Sequence, residues 1–167
     1  MKVDVDIRGI DGVLATLRAL PREVSAKRGG PVAAAARTGL QPMKRQHLAN
    51  LSAATANATS ENRRLSTGFL AKNVVISRGK APTSGKGERY LLRVRRKTYP
   101  DRKGKPVTTL AAAQLLEYGS SQQPAEPWIR PSFLSRAREV IDTTSADLVR
   151  RLDKIVARLA RQNAAKA

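Results

Sequence analysis

Four groups of residues are of the types that chemistry uses, and each falls short of a reactive centre. The run Gly79-Lys80-Ala81-Pro82-Thr83-Ser84-Gly85-Lys86-Gly87 is superficially like a phosphate-cradling loop. Such a loop needs four residues between its glycines and a Ser or Thr after the lysine to reach magnesium. Here five intervene and Gly87 follows Lys86, so a loop between strands is the better reading. His47 stands among Lys44, Arg45 and Gln46, with no carboxylate or serine at helical spacing to orient it as a base. It reads as a structural histidine, on the surface or half-buried. Asp4 and Asp6 share a strand face, and Glu117 and Glu126 bracket a proline segment, but neither pair has a second cluster of metal ligands beside it. The chain has no cysteine, which excludes disulfides, thiolate catalysis and sulfur-bound zinc, and one histidine cannot build a multi-histidine centre. The expectation is therefore a protein that is not an enzyme, with no catalytic, cofactor-binding or metal-binding residues.

The elements that carry these residues suit one α+β domain over 1–167, since 167 residues is a single-domain length and 41% apolar composition allows a core. Val3, Val5 and Ile7 alternate with Asp4, Asp6 and Arg8, the period of a half-buried strand. Asp11 can cap a short helix with Val13, Leu14, Leu17 and Leu20 on one face, ended by Pro21. Residues 31–51 read as a longer helix that Pro42 should kink. Residues 52–66, small and polar, read as an exposed loop or frayed helix end. Two strands, 72–78 and 89–97, form a hairpin by economy of connection. A helix over 107–118, marked by Leu110, Gln114, Leu115 and Tyr118, ends at Gly119. Prolines 124, 127 and 131 force residues 120–130 to be extended, and Pro131 suits the first turn of a long final helix. That helix has an apolar stripe of Leu134, Ala137, Ile141, Leu148, Leu152, Ile155 and Leu159. The expected architecture is a small antiparallel sheet of three or four strands packed against helices, with a long C-terminal helix. Flexible loops are expected near 52–66, 79–87 and 98–105. No apolar stretch suits export or a membrane span.

The formal net charge is +19, from 32 Lys and Arg against 13 Asp and Glu, and more than half of the excess lies in residues 61–105. Residues 106–127 contain no Lys or Arg. Alternation along the second hairpin strand puts Arg93, Arg95 and Lys97 on one face, while Tyr90, Leu92, Val94 and Arg96 take the other. With Arg89, Arg102 and Lys103 around them, and Arg150, Lys154 and Arg158 on the final helix, these residues are candidates to face a polyanion. A magnitude far beyond the roughly 2 to 8 charges of a well-behaved small domain favours that over a merely solvated face. Base-specific readout is disfavoured, because no helix-turn-helix, zinc-finger or aromatic platform pattern is present, so contact with duplex DNA would be non-specific and salt-sensitive.

The segment Ala113-Gln114-Leu115-Leu116-Glu117-Tyr118-Gly119-Ser120, followed by Pro124-Ala125-Glu126-Pro127-Trp128-Ile129-Arg130-Pro131-Ser132-Phe133, resembles the tail-completion or neck proteins of long-tailed phages, the gene-product-ten-like family of phage Hong Kong 97. Their signature is an acidic-aromatic-Gly-Thr turn and then Pro-Ala-x-Pro-aromatic-aliphatic-Arg-Pro opening the last helix. Thr67-Gly68-Phe69-Leu70 resembles the start of that family's strand region, and Leu17 to Pro21 its Leu-x-x-Leu-Pro, in the same order. Ser120 stands for the usual Thr and Trp128 for the commoner Phe. The basic stretches at 79–87 and 98–105 are not part of the signature.

The resemblance implies a structural virion protein at the head-tail junction, forming a homo-oligomeric ring, a hexamer, around the DNA channel. Its partners would be neighbouring head-closure, tail-terminator or tape-measure proteins, and it would reside in the host cytoplasm before assembly. Closed rings need contacts between different patches of neighbouring subunits. Glu117, Tyr118, Gly119, Pro124, Pro127, Trp128, Arg130, Pro131 and Phe133 are the interface candidates. Physically, Gly119 can supply a left-handed helix end, the prolines lower the entropy cost of an extended arm, and Trp128 is a large anchor. Trp128 and Phe133 could equally cap the chain's own core. The Arg130 head should reach an acidic group, with Glu117 and Glu126 nearest in sequence. A free-standing, non-specific basic nucleic-acid-binding protein remains the alternative.

Overall fold

Helix starts and stops follow the local chemistry closely in the computed structural model, which describes residues 30–56, 68–80, 89–99 and 106–165. Helix α1, Pro31–Gly39, opens with proline in its first turn, where the missing N–H costs nothing. The chain turns at Leu40 and resumes as α2, Gln41–Ala56, so the expected interruption beside Pro42 is present. A short turn of helix α3, Phe69–Lys72, leads into strands β1, Val74–Arg78, and β2, Tyr90–Val94. These pair antiparallel with Val74 opposite Val94 and Arg78 opposite Tyr90. Helix α4, Thr109–Tyr118, is capped by the Thr108 hydroxyl, which accepts from the Ala111 N–H at 3.2 Å, and it ends at Gly119. Helix α5, Arg130–Ala164, is the long C-terminal element, with Pro131 in its first turn.

Helices α1 and α2 run antiparallel to α5 in one register. Asn50 meets Ser132, Gln46 meets Arg136, and Gly39 meets Thr144. The α2–α5 seam is polar: the Asn50 amide donates to Ser132 Oγ at 2.9 Å, and Arg136 donates to Gln46 Oε1 at 3.0 and 3.2 Å. Gly39 is required by the crossing itself, because a Cβ there would lie 1.8 Å from Thr144 Oγ1. On the other flank, Leu51, Leu70, Val74, Ala113 and Trp128 make the core, with Leu92, Val94 and Leu116 against it. The tail of β2 is tied to α4 by Thr109, whose hydroxyl donates to the Arg95 carbonyl at 2.6 Å and accepts from Lys97 N at 3.0 Å.

The α+β class stands, and several finer expectations change. Among the described residues the sheet has two strands, plus an isolated bridge between Thr98 and Thr108. The strand at 3–8 and the helix after Asp11 lie outside the described residues. Residues 52–56 continue α2 rather than forming a loop, because Ala54 packs inward and the Thr55 hydroxyl bonds back to Leu51. Residues 98 and 99 are bridged to 107 and 108 rather than looped, and the remaining loop expectations, over 57–66, 81–87 and 100–105, lie outside the described residues. Helix α4 buries Thr109, Ala113 and Glu117, and turns Leu110, Gln114, Leu115 and Tyr118 outward. Leu134 and Ile141 of the expected stripe on α5 are exposed too, because polar residues occupy the seam with α2. No helix among the described residues is long and apolar enough to cross a membrane.

Gly119 closes α4 with φ +73°, and a Cβ there would lie 2.7 Å from the Ala125 backbone nitrogen. Gly119→Ala is therefore expected to cost about 2 kcal/mol or more, measured by chemical denaturation beside the parent chain.

Candidate assembly site

Among the described residues, a strongly organised polar site lies where α4 ends and α5 begins. Glu117 on the last turn of α4 points inward, and its carboxylate accepts four hydrogen bonds. Trp128 N and Ile129 N donate to Oε2 at 2.9 and 2.8 Å, while Arg130 N and Arg130 Nε donate to Oε1 at 3.1 and 2.9 Å. The arm between the helices makes this possible. A turn at Ser120–Gln123 reverses the chain, Glu126 N bonds back to the Leu116 carbonyl at 2.8 Å, and the following residues lie across the end of α4. Arg130 Nη2 reaches the Glu117 carbonyl at 3.0 Å, with its guanidinium 5.2 Å over the Tyr118 ring. The sequence offered Arg130 two acidic partners, and the structure selects Glu117.

Trp128 is the apolar half of the same clasp. It is completely buried, donates from Nε1 to the Ala113 carbonyl at 3.4 Å, and receives the His47 ring edge-on at 5.8 Å between centroids. Its carbonyl accepts from Asn50 Nδ2 at 3.2 Å and from the Ser132 hydroxyl at 2.7 Å. Of its two expected roles, Trp128 takes the core. His47 is buried rather than on the surface or half-buried, and its Nδ1–H donates to the Met43 carbonyl at 2.9 Å.

The interface candidates divide accordingly. Glu117 and Trp128 are interior and out of a partner's reach, whereas Tyr118, Pro124, Pro127, Arg130, Pro131 and Phe133 are exposed around them, with Gly119 half-buried. Phe133 does not cap the core. Sequence reasoning missed Leu110, Leu115 and Leu134, which extend this exposed apolar surface. Their signal was present in the hydrophobic spacing, which marked Leu110 and Leu115 as helix positions and Leu134 as part of an apolar stripe.

Among the polyanion candidates, Arg89, Arg93, Arg95 and Lys97 are exposed on and beside β2, and Arg150, Lys154 and Arg158 are exposed on α5. Arg102 and Lys103 lie outside the described residues. Arg150 is ion-paired with Asp147, which also accepts from Arg151 Nε at 2.6 Å, so part of its charge is met within the helix. No three or more His, Asp or Glu among the described residues gather as a metal site would require. No protein-family model, curated protein or solved structure matches the chain.

Burial works against ionisation of Glu117, but the backbone N–H groups of Ile129, Trp128 and Arg130 and the Arg130 side chain together outweigh it and hold the carboxyl below its ordinary value. Burial likewise holds the His47 ring below 6.5, against the Met43 carbonyl and the Glu117 charge that favour its protonation. Both shifts are depressions, so both contribute stability that is complete above the unfolded-state values and fades as pH falls through the folded ones. Urea midpoints should begin to decline below about pH 6.5 and fall further below about 4.3. Glu117→Gln should shrink the lower segment, leaving the part due to Asp147, whose carboxyl is also held below its ordinary value by Arg151 and Arg150, and Glu117→Ala should cost about 3 kcal/mol at neutral pH by orphaning the buried N–H groups.

Proposed function

We propose that this chain is a structural protein of long-tailed phage particles, assembling as a ring at the head-tail junction around the DNA channel and having no enzymatic activity. The observation that carries the reading is that the residues of the resemblance form one device. Glu117, Gly119, Trp128, Arg130 and Pro131 serve a single clasp, and the apolar residues left outside it border that clasp. A ring needs two unlike patches per subunit. Leu110, Leu115 and Tyr118 on α4 supply one, and Phe133 with the exposed prolines 124, 127 and 131 supplies the other. In the same proposal, the sheet has three or four strands, and head-closure, tail-terminator or tape-measure proteins adjoin the ring. The chain waits in the host cytoplasm until assembly.

The basic hairpin supports contact with a polyanion. Residues 68–80 and 89–99 contain no Asp or Glu, while Arg93, Arg95, Arg96 and Lys97 are exposed in succession or near-succession. Contact with duplex phosphates would be electrostatic and independent of sequence.

Mass spectrometry of purified particles, with imaging to locate the polypeptide, tests the assignment. The expected outcome is this chain at the junction in a fixed multiple. Its absence from particles, together with tight duplex binding by a monomer, would replace the proposal with a free-standing nucleic-acid-binding protein. Joint replacement of Arg93, Arg95 and Lys97 by alanine should reduce the slope of log affinity for duplex DNA against log salt by about three, read by fluorescence anisotropy.

A further inference from the structure

The exposed face of α5 has an order that the ring reading leaves unused. Leu134, Ile141, Val149 and Val156 are 82%, 60%, 57% and 41% exposed. Their spacings of seven, eight and seven are the same read in either direction, with Ser145, itself exposed, at the centre. At 3.6 residues per turn they form a narrow zigzag row, Leu134 and Ile141 to one side of the line through Ser145, Val149 and Val156 to the other. A row that reads alike in both directions is what an antiparallel pair of identical helices needs, since residue i of one copy must meet the mirrored position of the other. Leu134 then meets Val156 and Ile141 meets Val149, each pair occurring twice, with the two Ser145 side chains at the crossing, where small groups let the helices approach.

The charges fit the same register. Asp142 and Asp153 are exposed along one edge of the row, and Arg138, on that side of the line but within the row at the angle of Val156, is bonded to Asp142 Oδ2 at 3.3 Å. In the antiparallel pairing Arg138 falls level with the second copy's Leu152, one residue from its Asp153 on the same side, so it stands between its own Asp142 and the facing carboxylate. The cations Arg150, Lys154 and Arg161 project from another sector of the helix, away from the row. A parallel pairing would lack this match, because it would set Arg138 level with a second Arg138.

We infer that the middle of α5 is a self-association surface whose occupant is a second copy of this chain, packed antiparallel about Ser145. This contact is centred on the middle of α5, with only Leu134 at its end bordering the ring patch of Pro131 and Phe133, and it stands whether or not the ring reading does. Copies held this way have their apolar row covered before any larger assembly forms.

The chain has no cysteine, so one introduced thiol reports one position. The full-length protein should sediment at twice the chain mass at micromolar concentration and moderate salt. Ser145→Cys should cross-link to itself through a short bis-maleimide. Leu134→Cys should cross-link to Val156→Cys when the two variants are mixed, and poorly to itself. Ile141→Asp with Val149→Asp should weaken the dimer about 100-fold or more while leaving the circular dichroism of the monomer unchanged. A monomer with no Ser145→Cys product overturns the inference, as does a dimer in which Leu134→Cys links only to itself. A larger oligomer without the Ser145→Cys product overturns it too and leaves the ring reading standing. A dimer of the predicted register in a chain absent from particles does the reverse.

Discussion

The arrangement depends on one buried carboxylate. Glu117 sits where the amide ends of the longest helix converge, and it satisfies donors that the helix cannot satisfy itself. Pro131 removes one more donor from the same turn, so sequence chemistry and the carboxylate share the work of closing the helix end. The negative charge also faces the positive pole of α5, which favours ionisation in a place where burial alone would oppose it. Because the carboxylate comes from the last turn of α4, each bond that caps α5 also fixes where α4 stands. Glu117 is thereby the joint between the sheet side of the molecule and the helical side.

The consequences pass outward through Trp128. Its amide is held by Glu117, its indole by the Ala113 carbonyl and the His47 edge, and its carbonyl by Asn50 and Ser132. Those last contacts begin the polar ladder that sets α2 against α5 and carries the register on to Gly39 and Thr144. A seam of amides, hydroxyls and one guanidinium accepts a single register more readily than a seam of leucines, since a slip by one turn would strand several polar groups. Leu134, Ile141, Val149 and Val156 of α5 lie off that seam and emerge on the surface, while Leu159 is buried. The long helix is therefore specified by polar contacts on its inner face near the clasp and left available for association on its outer face.

How much of this was legible in the sequence follows from the same physics. Proline and glycine act locally, so the break beside Pro42, the helix end at Gly119 and the start of α5 could all be read from neighbours in the chain, and the hairpin followed from economy of connection. The Arg130 pairing was legible to within two carboxylates because the prolines keep the arm short. Which face of a helix is inside was not legible where the inside is polar or small. Thr109, Ala113 and Glu117 are buried in α4 while Leu110 and Leu115 face out, and hydrophobic periodicity necessarily picks the opposite face. His47 was misplaced for a related reason: its partners are Trp128, far away in sequence, and a backbone carbonyl with no signature of its own.

Charge distribution explains why a chain this basic can expose apolar surface for self-contact at all. At physiological ionic strength charges are screened over about 8 Å, so what matters at a contact is the local composition and not the total of +19. Residues 106–127, which build α4 and the arm, contain no Lys or Arg, and the α5 row contains Arg138 and is edged by Asp142 and Asp153. The hairpin concentrates the excess on another element. Copies can therefore meet through nearly neutral surfaces, and every copy added to an assembly brings another undiluted cationic hairpin. The attraction of such an assembly for a polyanion grows with copy number, while the cost of each protein contact does not.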